Sequence, residues 1–169
     1  RPGRAAAAEG PDIGAAAAAR GVRFGSAFDR EVFDDAAYAA LIGSECRIGS
    51  IENSLKFDWL RPTGPQADYA AADRLVAFAE ASGVAPRGTA LIWNDWTPDW
   101  LGWLPAPEIA ALMEAHIAET VGRYAGRVVS WDVVNEPFFP PHGREGGYRK
   151  GPWLEAMGPS YIERAFAAA

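Results

Sequence analysis

Cysteine, histidine and long apolar runs are what this sequence of 169 residues has least of, and each shortage excludes something. The single Cys46 has no partner for an intrachain disulfide and reads as a core thiol. Two histidines far apart in the chain, His116 and His142, and one cysteine do not make a metal site. No apolar stretch approaches the ~18 residues that a membrane span needs. Positive charge is outweighed: 16 Lys and Arg against 22 Asp and Glu leave a formal charge of −6 and a pI near 4.9. That balance argues against nucleic acid or an anionic membrane as partner, since both need a basic face. Gly143–Gly147 is glycine-rich but lacks the Gly-Lys-Ser/Thr ending of a phosphate-binding loop. No metal and no cofactor are therefore expected. The Ala-rich segment 1–20 lacks the charged-then-apolar order of an export signal, and the sequence is expected to divide into that segment and a domain over 21–169.

What is present suits a folded core. Hydrophobic residues make up 49% of the chain and seven are Trp. Trp serves where a flat apolar face meets a partner while its N–H stays satisfied; sugars are one such partner, and buried core is the commoner use. Val128–Pro137, an apolar run ending in Asn135, Glu136 and Pro137, reads as a buried strand covered on both faces with chemistry at its tip. Proline pushes the residue before it toward extended backbone, so Glu136 is expected to be held in a defined direction at the strand's C-terminal end.

The rest of the chain repeats this form. Ala15–Arg20 reads as the end of a short helix closed by Gly21, and Val22–Phe28 as a first strand. Asp34 and Asp35 suit a helix N-terminus, with helix over Ala36–Ile42 before Gly43. Cys46–Ile51 is a second strand running into the polar cluster Glu52, Asn53 and Lys56. Turn residues fill 62–66, and Asp68–Ser82 is an amphipathic helix with Tyr69, Ala72, Leu75, Val76 and Ala79 on one face and Gly83 as its cap. Arg87–Asn94 is a third strand ending at Trp93, Asn94, Asp95 and Trp96. Pro107 opens a helix lined by Ile109, Leu112, Met113, His116, Val121 and Tyr124 and stopped by Gly126. After the organising strand, Pro152 onward reads as a fourth helix anchored by Leu154, Ile162 and Phe166. Strict alternation of strand and helix predicts an α/β fold with a parallel sheet and right-handed crossovers.

Glu52 and Glu136, both at strand ends, have the form of an acid and base pair for glycoside hydrolysis, although spacing does not show that they face each other. Asn135 suits an amide that holds a sugar hydroxyl. Lys56 reads as a ligand donor or an exposed loop lysine, and His116, inside an amphipathic helix, as a satisfied structural residue.

Trp131-Asp-Val-Val-Asn-Glu136 resembles the acid/base strand of glycoside hydrolase family 10, the endo-1,4-β-xylanase family. Glu52-Asn53 followed by Lys56 is similar to that family's Glu-Asn-x-x-Lys segment, and Arg87-Gly88 through Trp93 to its Arg-Gly-His-Thr-Leu-Val-Trp-His strand. Gly25-Ser26-Ala27, His116, Tyr161-Ile162-Glu163 and Ala165-Phe166 also look like family positions, so the resemblance runs from Gly21 to the C-terminus. It implies an eight-unit (β/α) TIM barrel, of which this chain supplies about the first four units, and a retaining mechanism without cofactor. It implies that Glu136 is the general acid/base and that Asn135 bonds the sugar in the cleavage subsite. Glu52, Asn53 and Lys56 would hold the next glycone sugar, with Trp93 and Asn94 at the cleavage subsite. Thr89 and Asn94 stand where the family has histidines, and Trp96 where a glutamine often lies. No Glu sits in a segment like the family's Thr-Glu-Leu-Asp, so the nucleophile is expected to be missing and the chain alone inactive. The implied partner is xylan or a related β-1,4-linked polysaccharide, which in turn implies a secreted or periplasmic complete protein. Uncovered half-barrel edges would favour self-association. Alternatives are another barrel glycosidase such as a cellulase, or a non-catalytic sugar-binding or remnant protein.

Overall fold

A computed structural model describes residues 12–169; the opening of the Ala-rich segment, residues 1–11, lies outside the described residues. Helix α1 (Ile13–Ala18) starts where Asp12 supplies a cap, its carboxylate accepting from the Ala15 N–H at 2.6 Å. The same carboxylate pairs with Arg47 at 2.6 Å, and the Ile13 N–H donates to Glu45, which ties α1 to the end of the next helix.

The strands are β1 (Gly25–Phe28), β2 (Ile48–Ile51), β3 (Ala85–Gly88), β4 (Ile92–Trp93) and β5 (Val134–Asn135). Every pairing is parallel: β1 lies on β2, β2 on β3, and β4 on β5, while a bridge from Gly88 to Trp131 joins β3 to the β5 strand. With β3 and β4 taken as one interrupted strand, four strands lie side by side in chain order. The helices between and after them are α2 (Ala36–Glu45), α3 (Phe57–Leu60), α4 (Ala70–Ala81), α5 (Ala106–Arg123), α6 (Pro152–Met157) and α7 (Tyr161–Ala168). Parallel neighbours joined through helices place all strand C-termini on one rim.

Local chemistry explains most boundaries. Asp35 caps α2 by accepting from the Ala37 and Tyr38 N–H groups, and Asp68 receives the Ala70 N–H at the start of α4. All five residues expected on the inner face of α4 are buried. Three expectations need correction. Helix α2 runs through Gly43 to Glu45 rather than stopping there. The third strand is not continuous over Arg87–Asn94 but begins at Ala85 and breaks between Gly88 and Ile92. The C-terminal helix is two helices, because Gly158 takes a left-handed φ of 62° between α6 and α7. That break resets the helical phase, so Tyr161 and Ala165 turn inward and Phe166, expected as an anchor, is 59% exposed.

The Val128–Pro137 segment also differs from a strand buried on both faces. Its backbone is tied to the third strand through Val129 N–H to Pro86 O, Gly88 N–H to Ser130 O and Asp132 N–H to Gly88 O. Among the described residues no strand pairs with its other edge, and Val129 is 51% exposed.

Two apolar clusters fill the space between strands and helices. One centres on Phe28, Ile51, Leu55, Leu75 and Val76; the other on Phe57, Leu91, Ile92, Met113, Trp153 and Tyr161. Trp131 packs against both, and Gly88 makes room for its ring: a Cβ there would lie 2.2 Å from two ring carbons. Cys46 is buried in the first cluster as a free thiol, and burial raises its pKa.

Candidate active site

The rim is assembled from strand ends that grip one another. Asp29, immediately after β1 and buried, accepts the Asn53 N–H at 2.8 Å, the Ser54 N–H at 2.9 Å and the Ser54 hydroxyl at 2.6 Å. One carboxylate thereby fixes the turn after β2 and leaves Glu52 exposed at the rim with Asn53 half-buried beside it. The Lys56 ammonium donates to Asn53 Oδ1 at 2.9 Å and lies 4.3 Å from the centre of the Trp96 ring and 5.3 Å from that of Trp93. Those two indoles are stacked at 5.7 Å with 10° between their planes. A cation over an aromatic face is worth roughly 0.5–1 kcal/mol at a partly exposed site, so the lysine head is oriented before any ligand arrives. The Trp93 indole N–H is buried and donates to no protein group.

Across the sheet, Trp93 pairs in register with Asn135. In a parallel pair such partners point to the same face, which puts the Asn135 amide beside the Trp93 ring. Glu136 follows, and its backbone is not extended as its position before Pro137 implies: φ is 45°, in the left-handed region. A non-glycine residue there costs on the order of 1–3 kcal/mol and persists only where the surroundings enforce it. The enforcing contact is Arg149, whose Nε donates to the Glu136 carbonyl at 2.8 Å while Nη2 sits 3.2 Å from Glu136 Oε2. The other arm of the guanidinium pairs with Asp95, just past β4. The Glu136 carboxylate itself remains half exposed, its side chain 50% accessible against 8% for Arg149.

Glu52 and Glu136 extend strands with one strand between them. At roughly 4.8 Å per strand they stand about 10 Å apart along the rim, wider than the ~5–5.5 Å of a retaining carboxylate pair. Asn94 does not join the rim. It is 6% exposed, its Oδ1 accepts the Trp153 N–H at 3.2 Å, and its amide nitrogen donates to Arg149 O at 3.4 Å and to the Tyr161 hydroxyl at 3.3 Å. Its side chain locks the loop and the fourth unit to the third strand rather than facing the cleft. Burial pushes the Tyr161 phenol up to about 12. His116 is fully buried, accepts from Arg61 Nε at Nδ1 at 3.2 Å, and its Nε2 faces the Leu91 backbone without completing a hydrogen bond. His142 accepts the Lys150 N–H at 3.2 Å in the loop beyond Pro137.

Residues 12–169 match Glycosyl hydrolase family 10. The chain belongs to that family. Endo-1,4-beta-xylanase A of Phanerodontia chrysosporium is 31% identical over 150 residues, covering 86% of this chain and 36% of the relative. A beta-1,4-xylanase of Dictyoglomus thermophilum is 37% identical over 115 residues, covering 68% of this chain and 32% of the relative. Among solved structures, xylanase 10B of Thermotoga petrophila RKU-1 in complex with xylobiose superposes with a TM-score of 0.85 at 28% identity, covering 96% of this chain and 50% of that one. The chain thus spans about a third to a half of the length of the proteins it matches, and its four strand-helix units are half of the family's (β/α) barrel.

Sequence reasoning missed several residues of this family-10 rim. Asp29 was readable in principle as a carboxylate at the end of a strand. Asp95 stands among the polar residues at the third strand's end, but its pairing with Arg149 carried no spacing signal, because the two meet across 54 positions of chain.

Proposed function

We propose that the chain supplies the acid/base half of an endo-xylanase site that cleaves the β-1,4 backbone of xylan with retention of configuration. In this reading Glu136 protonates the leaving glycosidic oxygen and later deprotonates the attacking water. Asn135 bonds a hydroxyl of the sugar at the point of cleavage. Glu52, Asn53 and Lys56 hold the neighbouring glycone sugar, and Trp93 offers its ring to a sugar face. The nucleophile belongs to a strand outside these four units. The observation that carries the reading is Glu136: a glutamate forced into left-handed backbone at the tip of the fourth strand, its carboxylate half open, directly after the Asn135 that pairs in register with Trp93. A polymer too large to cross a membrane places the acting protein outside the cytoplasm.

The test is turnover. The 169-residue chain alone is expected to release no measurable reducing ends from xylan. A form extended to the full barrel length of its relatives is expected to hydrolyse xylan in preference to cellulose. Turnover of cellulose but not xylan by the extended form would point to another barrel glycosidase.

A second reading, sugar binding without turnover, is favoured by the preformed Lys56–Trp93–Trp96 platform. Both readings give Lys56 a ligand, so Lys56→Ala is expected to weaken binding of longer xylo-oligosaccharides by about tenfold, the loss of one charge-assisted hydrogen bond. Binding of a single xylose should change far less. Calorimetry showing equal losses for both ligands would remove Lys56 from the site.

A further inference from the structure

We propose that Arg149 is the positioning residue for Glu136, holding both its backbone and its carboxyl group, and that Asp95 is the counter-charge that lets the pair work. The inference rests on the acid/base reading of Glu136. Arg149 makes contacts on both sides of the Glu136–Pro137 bond. Its Nε donates to the Glu136 carbonyl at 2.8 Å and its own backbone N–H donates to the Pro137 carbonyl at 2.8 Å. Both carbonyls are gripped by one residue, which accounts for a left-handed glutamate where the following proline favours extended backbone. Arg149 is in turn fixed at three points, two on its guanidinium and one on its backbone. Phe139 lies 4.6 Å beneath the guanidinium, Asp95 takes Nη1, and the Arg149 carbonyl accepts from Asn94. A rigid planar fork can reach a carbonyl, a carboxylate and a second carboxylate at once; a lysine point charge cannot.

The electrostatics need both acidic partners. Nη2 of the guanidinium stands 3.2 Å from Glu136 Oε2, so Arg149 alone would set an uncompensated positive charge against the carboxyl group. Asp95 binds the other arm and offsets that charge. The phenol of Tyr161 on α7, raised by burial and so neutral near pH 7, also lies within reach of the Arg149 charge.

The experiment compares Arg149→Lys, Asp95→Asn and Glu136→Gln in the chain extended to full barrel length, with NMR titration of the Glu136 carboxyl in the 169-residue chain. Asp95→Asn leaves the guanidinium facing Glu136 alone. It is expected to move the alkaline limb of kcat/KM, and the carboxyl titration with it, down by about one pH unit. Arg149→Lys is expected to lower kcat tenfold or more on xylo-oligosaccharides with KM changed by less than about threefold, because alignment rather than binding is lost. It should leave rates on substrates with good leaving groups, which need no proton, closer to wild type. A purely structural role would lower the amount of folded protein without shifting the limb. Wild-type kcat in Arg149→Lys, or an unmoved pH profile and carboxyl titration in Asp95→Asn, with Glu136→Gln still selectively impaired on poor leaving groups, would overturn the proposal. A Glu136→Gln variant with wild-type rates would instead overturn the acid/base reading on which it rests.

Discussion

Replacing Glu136 by Gln in a full-barrel form is expected to reduce hydrolysis of unactivated xylo-oligosaccharides by roughly 10²- to 10⁴-fold, the usual worth of a positioned general acid. The amide is close to isosteric, so the Arg149 bond to the Glu136 carbonyl survives, and oligosaccharide affinity should stay within a few-fold. The deficit should shrink for aryl glycosides whose leaving groups depart as anions, since the first step then needs no proton. For those substrates the second step becomes limiting, because the water also loses its base, and a burst of released aglycone is expected before a slow steady state. Added azide should restore part of the steady-state rate by attacking the glycosyl-enzyme without base assistance. Stopped-flow measurement of the burst, with and without azide, checks all three points. A uniform rate loss across leaving groups would place Glu136 outside the proton transfer.

A second large effect concerns stability against pH and centres on His116. Burial, with Arg61 nearby, lowers its pKa from 6.5 to about 3. Because the folded value lies below the unfolded one, the unfolded chain takes up the proton first as pH falls. The neutral ring's contribution is therefore fully present above about pH 6.5 and is lost progressively between there and pH 3. At ~1.4 kcal/mol per unit this amounts to on the order of 5 kcal/mol, a large share of a typical domain's stability. His116→Gln keeps an acceptor for Arg61 Nε but does not titrate. The variant is expected to be less stable at pH 7 and to lose less stability per pH unit between pH 6.5 and 4 than the parent. Urea unfolding at a series of pH values reads the two slopes. Parallel slopes would mean that His116 does not remain neutral in the folded protein at those pH values.

The architecture was legible because each unit announces itself twice, by an apolar run and by a polar group at its end. Asp35 and Asp68 mark helix starts through backbone N–H groups that need an acceptor, and Trp93, Asn94, Asn135 and Glu136 mark strand ends. What escaped the sequence depends on contacts made across the chain. Asn94 has the composition of a rim residue, yet the Trp153 N–H and the Tyr161 hydroxyl draw it inward from 59 and 67 positions away. The backbone of Glu136 reverses the preference set by Pro137 because Arg149, 13 positions on, holds its carbonyl. Phe166 fits the period of one long helix, and the left-handed turn at Gly158 divides that helix in two. In each case a local rule was outweighed by a hydrogen bond or a glycine whose effect spacing does not encode.

The two apolar clusters come together along the chain beside Lys56 and in space at Trp131. Leu55 is buried in one and Phe57 in the other, with Lys56 between them, while Val133 and Val134 of the strand that ends in Glu136 belong with the second. Trp131, seated on Gly88, is the side chain that packs against both. Trp131 is therefore the joint through which the packing of one cluster is coupled to that of the other. A smaller ring at 131 would loosen two packed clusters at one position, a larger loss than its own contacts in either.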